Sequence, residues 1–133
     1  MTAGAARAEN EAAVRRYCDA WQRGDVGEML ACYHDEIVLH WFGSGPLAGA
    51  HRGKAAALQA LGEQGKRARR SLVEIVDVLA SDAHAIALVR ERFERDGRSE
   101  VLDRVLVYRV RGGLLAECWV YDRDQRLVDE LLR

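Results

Sequence analysis

In residues 101–110 both alternating sets of side chains are apolar, with Val101, Val105 and Val107 in one and Leu102, Leu106 and Tyr108 in the other. Successive side chains of a strand point to opposite faces, so a strand of this kind has to be covered on both sides. Turn signals bracket it, Asp96-Gly97 before and Arg111-Gly112-Gly113 after, the first a pair that favours tight hairpins. Two further β-rich segments, 71–79 and 84–95, are separated by a Ser81-Asp82 turn. An antiparallel meander is expected over this half of the chain. Helices can bury one of its faces; the other calls for a partner subunit, so a homodimer is the expected assembly.

The first half supplies the helices. Val14, Tyr17, Cys18 and Trp21 follow i, i+3, i+4, i+7 spacing, while Arg7, Glu11, Arg15 and Arg16 fall largely off that stripe. Gly24 is placed to stop this helix. Asp25, with Glu28 three residues on, resembles a capping box that opens a second short helix, its inward side being Val26, Met29, Leu30 and Tyr33. Residues 37–42 are β-branched and aromatic and predict a strand, closed by the Gly43-Ser44-Gly45-Pro46 loop. Segment 54–64, rich in Ala and Leu, predicts a third helix. A terminal helix over 124–132 would pack Leu127, Val128, Leu131 and Leu132 back on the sheet. At 133 residues the chain is the size of one domain, spanning 1–133, and its segregated helices and strands place it in the α+β class.

Charge and composition exclude several function classes. Lys plus Arg number 20 and Asp plus Glu 21, so no long-range field draws nucleic acid or an anionic membrane. No apolar run approaches the ~20 residues of a membrane span, and residues 1–10 lack a signal-peptide core; a cytoplasmic location without a membrane partner is expected. Cys18, Cys32 and Cys118 are far apart and read as buried free thiols. The run Lys66-Arg67-Ala68-Arg69-Arg70 has no interleaved aromatics and follows a helix end, where cations are favoured, so it is expected to be solvated. Arg90, Arg92 and Arg95 with Glu91 and Glu94 suit ion pairs on an exposed part of the sheet. His34, His51 and His84 lie beside turns, and no ligand spacing suggests a metal; no metal and no cofactor are expected. The glycines of 43–53 lack the strand and helix context of a nucleotide loop. That segment reads as a pocket rim where His51 and Arg52 could touch a polar ligand end.

The order of these pieces carries a resemblance. Trp21 with Gly24-Asp25, Tyr33-His34-Asp35-Glu36, His40-Trp41-Phe42-Gly43, Pro46-Leu47-Ala48-Gly49, Arg52-Gly53-Lys54, and Glu117-Cys118-Trp119 with Asp124-Gln125 together resemble the SnoaL-like branch of the NTF2-like superfamily, which also holds the ketosteroid isomerases. The resemblance implies a cone, with N-terminal helices packed on a curved antiparallel sheet that encloses an apolar pocket. It does not fix function, because such folds host isomerases, cyclases, hydrolases and non-catalytic modules.

Similar isomerases use a carboxylate base at the end of the first strand, a tyrosine on the first helix and a protonated aspartate on a later strand. Carried over, the tyrosine position is Tyr17, and the base position falls at His40. The later-strand position falls near Val105, which cannot donate a proton; Asp103 shares its parity. Related cyclases carry a carboxylate after the tryptophan of the last strand, where this chain has Glu117-Cys118-Trp119-Val120. The site expected from this resemblance has His40 and Tyr17 as catalytic groups inside the cone, with Trp21, Trp41, Trp119, Asp103 and Val105 contacting substrate. An imidazole suits such work because its ordinary pKa of about 6.5 lets it take and return a proton near neutrality. The expected function is a small cofactor-independent isomerase, cyclase or epoxide-opening hydrolase acting on an apolar, ring-bearing metabolite. The alternative is a non-catalytic module on the same fold that binds a small molecule or dimerises.

Overall fold

A computed structural model describes residues 3–133 of the chain. Helix α1 (Ala3–Arg23) ends where Gly24 takes a φ of +71°, a conformation cheap only for glycine. The Asp25 carboxylate then accepts from the Glu28 backbone N–H at 3.1 Å and starts α2 (Val26–Ala31). Five strands of nine or more residues follow the expected places: β1 (Tyr33–Trp41) precedes α3 (Lys54–Arg67), and β3 (Arg69–Ala80), β4 (Ala85–Arg95), β5 (Arg98–Arg111) and β6 (Leu114–Asp122) follow it. Helix α4 (Gln125–Leu131) closes the chain, capped by the Asp124 side chain, which accepts from Leu127 N at 3.1 Å.

Between β1 and α3 the chain forms β2 (Gly49–Arg52), antiparallel to β1 and read from sequence as loop. The six strands form one sheet in the order β2-β1-β6-β5-β4-β3. The expectation of a wholly antiparallel sheet is corrected at one place: β1 and β6 run parallel, with His40 opposite Trp119 and Leu39 opposite Cys118. Turn signals announce hairpins between consecutive strands and are silent on two strands so far apart in the chain. Register shifts at Leu72/Glu74 and Ile75/Asp77 in β3 are the bulges by which an edge strand bends.

Parity decides what the cone contains. Ile37, Leu39 and Trp41 of β1, Val89, Glu91 and Phe93 of β4, Leu102, Arg104, Leu106 and Tyr108 of β5, and Cys118 and Val120 of β6 are all buried. Helix α1 lies across this concave face and seats Val14, Tyr17 and Cys18 in the core. A second cluster, Ala68, Phe93 and Leu102 with Val128, Leu131 and Leu132, fixes α4 to the other end of the sheet. Helix α2 departs from expectation. It buries no residue, Val26 is exposed, and Tyr33 belongs to β1.

Candidate functional site

Between α1, α2, α3 and the concave face lies a cavity of about 400 Å³, within the ~300–1,000 Å³ of small-molecule sites. The side chains of α2 that bury nothing border this space instead: Met29 and Leu30 line it, and exposed Val26 stands on its rim. The cavity therefore opens beside α2.

Its polar groups fall into two sets. Tyr17 and Tyr33 are both buried and their hydroxyls meet at 2.6 Å. Tyr17 also packs against Trp21, Tyr33 and Tyr108 with ring centroids 5.3–6.1 Å apart. Burial, reinforced by the neighbouring hydroxyls, raises the pKa of Tyr17 well above that of a free phenol, and burial likewise raises Tyr33 and Tyr108. All three remain protonated donors across the physiological range. Cys118, also on the wall, has its thiol pushed up to about 12 by burial. All three cysteines are buried and free, as expected.

The second set is charged. Arg104, with a side chain 4% exposed, donates Nε and Nη2 to the two Asp122 oxygens at 2.5 and 3.1 Å, and Nη1 to Glu91 at 2.6 Å. Burial opposes its charge, but Glu91 and Asp122 outweigh burial and raise its pKa. Arg70 approaches Glu91 at 3.2 Å, and both guanidiniums lie over the Phe93 ring, at 5.9 and 5.2 Å. Two cations and two carboxylates thus balance where Arg70 and Arg104 meet the cavity wall. Gln64, 2% exposed, lines the wall with Arg70 and Arg104, and its Oε1 has no partner. Leaving a buried acceptor unmatched costs ~1–3 kcal/mol.

Two expectations about charge are corrected here. Glu91 was read as part of an exposed ion-pair ladder and is fully buried, and Arg70 was read as solvated and lines the cavity. The cause is parity: both side chains fall on the concave face, between apolar neighbours.

Of the expected site residues, the structure brings Tyr17, Trp21 and Trp41 to the cavity. It does not bring His40. Leu39 and Trp41 of the same strand point inward, so His40 points outward. There its Nε2 lies 2.6 Å from Glu117 Oε2 and its ring stacks on Trp119, 5.2 Å away and 5° from parallel. Trp119 is outside the cavity for the same reason. Asp103 and Val105 also lie on the outer face, opposite in parity to Leu102 and Arg104; Asp103 pairs with Arg90 and Arg123. His51 donates its Nε2–H to the Leu47 carbonyl at 2.7 Å and packs against Trp41, and neither it nor Arg52 lines the cavity. Sequence reasoning missed Arg104, Glu91 and Asp122. Their signal is a charge set among apolar residues of one parity, as in Leu102-Arg104-Leu106 and Val89-Glu91-Phe93.

Residues 14–118 match the SnoaL-like domain. The chain belongs to this family. A SnoaL-like domain of this length has a relative in an uncharacterized protein of Mycobacterium tuberculosis strain H37Rv, 34% identical over 104 residues, covering 75% of this chain and 78% of that protein. Among solved structures, this SnoaL-like chain resembles an NTF2-like protein of Burkholderia xenovorans, with TM-score 0.75 and 25% identity over 96% of this chain and 98% of that one. It also resembles a candidate polyketide cyclase of Xanthomonas campestris, with TM-score 0.73 and 23% identity over 95% and 98% of the two chains. The SnoaL-like, NTF2-like cone is thereby shown, and it is a fold compatible with isomerase or cyclase chemistry.

Proposed function

We propose that this SnoaL-like protein binds an apolar, ring-bearing small molecule in the cone, as a binding module in which Tyr17, Tyr33 and Tyr108 meet the ligand's oxygen. The observation that carries this reading is the make-up of the wall. Its polar side chains are tyrosines, two arginines, a glutamine and a cysteine, and no carboxylate or imidazole lines the cavity among the described residues. The groups present can hold a ligand and polarise its oxygen, whereas none is a base at neutral pH. Asp122 borders the adjoining crevice and a groove with Val76 and Tyr121 but not this cavity, and both its oxygens are taken by Arg104.

A second reading, proton transfer by an isomerase or cyclase, rests on the Tyr17–Tyr33 pair. A hydroxyl held in a dry site is suited to an oxygen that gains charge, a contact worth ~3 kcal/mol in a transition state. On that reading the substrate supplies its own base. Flavone titration, followed through the fluorescence of Trp21 and Trp41 on the wall, decides for or against binding: saturable one-to-one quenching is expected. Absence of quenching by flavone, together with no co-purifying small molecule in native mass spectra, would overturn the binding reading. Assembly is part of the same proposal. The outer face exposes Val76, Val101 and Tyr121, and a second copy seated there would give a dimer in light scattering; a clean monomer at micromolar concentration overturns it.

A further inference from the structure

Two cations stand on the cavity wall, Arg70 and Arg104, and they differ in what they have left to give. Arg104, 4% exposed, commits three nitrogens to Glu91 and Asp122. The Arg70 side chain is 19% exposed, and its approach to Glu91 Oε1 at 3.2 Å lies outside hydrogen-bond geometry, since that oxygen has no hydrogen-bond partner. Among the described residues, the buried side-chain nitrogens and oxygens without a partner are Gln64 Oε1, Arg67 Nε and Glu91 Oε1. No Arg70 nitrogen is in that set, so its uncommitted N–H groups face open space and can turn to an acceptor there. The guanidinium is also held in place. Arg70 stands opposite Phe93 in the β3–β4 ladder and lies over its ring, 5.9 Å from the centre. Its charge reaches the tyrosines as well: burial raises the pKa of Tyr17 and Tyr33, and Arg70 works against that rise.

We propose that Arg70 is the specificity-determining residue of the cavity and selects ring ketones, whose carbonyl oxygen accepts from its guanidinium. This rests on the small-molecule reading above and narrows it to a ligand class. A ring hydrocarbon of the same shape would suit the apolar wall, but it would shield the guanidinium from water and offer it no acceptor, a cost that is larger for a charged group than for a neutral one. A carboxylate fails for the opposite reason. Glu91 and Asp122 already balance Arg70 and Arg104, so a further negative charge in the cavity would go uncompensated. A carbonyl oxygen meets the guanidinium without bringing charge.

The test uses the full chain and three probes on one ring frame, fluorene, 9-fluorenone and fluorene-9-carboxylate, with affinities read by equilibrium dialysis. One hydrogen bond from a charged donor corresponds to ~10-fold or more in affinity, so 9-fluorenone should bind about 10-fold more tightly than fluorene, and more tightly than the carboxylate. Arg70→Met should remove most of the preference for 9-fluorenone and leave fluorene binding in place. Arg70→Lys leaves Glu91 a counter-ion but replaces the planar fork with a shorter point charge; it should reduce the preference and provides the comparison if the methionine variant does not fold. Equal affinity of 9-fluorenone and fluorene for the unaltered protein, a preference that survives Arg70→Met in full or is unchanged in Arg70→Lys, or tighter binding of the carboxylate overturns the proposal, while saturable flavone binding keeps the binding reading intact. Failure of flavone and all three probes to bind overturns the two together.

Discussion

On the concave face, Glu91, Arg104 and Asp122 are joined through side chains 0, 4 and 3% exposed; on the convex face, His40, Glu117 and Arg109 form a similar chain at 22, 21 and 42%. The two have comparable contacts, with distances of 2.5–3.2 Å, and very different energetics. Water can replace a lost partner on the outside. Inside, a lost partner strands a charge in the core. The strand that carries the first expected base, β1, shows how narrow the boundary is: one residue along the chain separates Leu39, inside, from His40, outside.

The largest effect should come from breaking the inner set. Arg104→Met removes the cation that holds both buried carboxylates, which costs ~3–5 kcal/mol and should lower the melting temperature by about 10 °C or more. Replacing Glu91, Arg104 and Asp122 together with apolar residues should recover much of that loss, because no charge is then stranded. A single Arg104→Met variant as stable as the parent in thermal denaturation would erase the contrast between the faces.

Alkaline pH separates the faces without mutation. Burial is the main cause that raises Tyr17, Tyr33 and Tyr108 above their ordinary value and pushes Cys18 and Cys118 up to about 12. In the unfolded chain these groups lose protons near pH 9–10; in the folded chain they keep them. The unfolded state then binds fewer protons, so stability is fully present below about pH 9 and falls as pH rises toward the folded values, by ~1.4 kcal/mol per group per pH unit at most. Urea denaturation at pH 8 and about pH 10.5 should differ by a few kcal/mol. A flat profile would mean that the interior is open to hydroxide.

Tyr17→Phe tests the aromatic end more gently. It leaves the buried Tyr33 hydroxyl without its partner at 2.6 Å, for ~1–3 kcal/mol of stability, and should weaken flavone binding several-fold if the ligand oxygen sits there. Affinity unchanged by the variant would move the ligand's oxygen away from the tyrosines. A smaller effect is expected at the hinge between the loop after β1 and α4. Asp129 accepts from the Ser44 backbone N–H at 2.9 Å and from Gln125 at 2.9 Å, and Gly43 lies so close that a side chain there would strike this carboxylate. Burial works to raise the Asp129 pKa, but these hydrogen bonds prevail and lower it. Its stabilisation is therefore present above the ordinary carboxylate pKa of 3.8 and lost as pH falls through the lower folded value. Asp129→Asn should cost ~1–2 kcal/mol at pH 7, and the difference should shrink as pH falls below the ordinary carboxylate value and through the lower folded one, where a gap that stays constant would refute the ionic origin.

Much of the architecture was legible because it is written in local signals. The α1 stripe, the Asp25 cap, and the Asp96-Gly97 and Gly112-Gly113 turns each act within a few residues. What was hidden depends on distant neighbours. β2 has four residues, none of them strongly β-forming, and exists because β1 offers it an edge. β1 begins at Tyr33 although His34, Asp35 and Glu36 interrupt its apolar pattern, since Leu115 donates its N–H to the Cys32 carbonyl at 2.8 Å and pins the strand's start. The candidate site was half legible: Tyr17 and Trp21 follow from the helix stripe, whereas for β1 and β5 the alternation was visible but its inward phase was not. With both parities of β5 apolar, Asp103 and Arg104 were equal candidates by pattern, and only the assembled sheet put Arg104 inside.

His40 gives the smallest and most discriminating prediction. In His40→Ala, Glu117 keeps Arg109, whose Nε reaches its other oxygen at 3.2 Å, and the vacated side of the pair is open to water. Burial tends to raise the Glu117 pKa, and the hydrogen bonds from His40 and Arg109 overcome it and lower it; losing His40 should therefore move Glu117 part of the way back up. That depressed carboxylate contributes stability that is full above its ordinary pKa of 4.5 and lost as pH falls through the lower folded value, so the variant's deficit should be constant above about 4.5 and fade below it. Its size should be below ~1 kcal/mol, as for other half-exposed pairs. Flavone affinity should not change, because the imidazole and the cavity lie on opposite sides of the sheet. A tenfold loss of affinity in His40→Ala would show that the outer face communicates with the pocket; a change in dimer dissociation alone, read by light scattering across dilution, would instead place His40 and Trp119 at the contact between two copies.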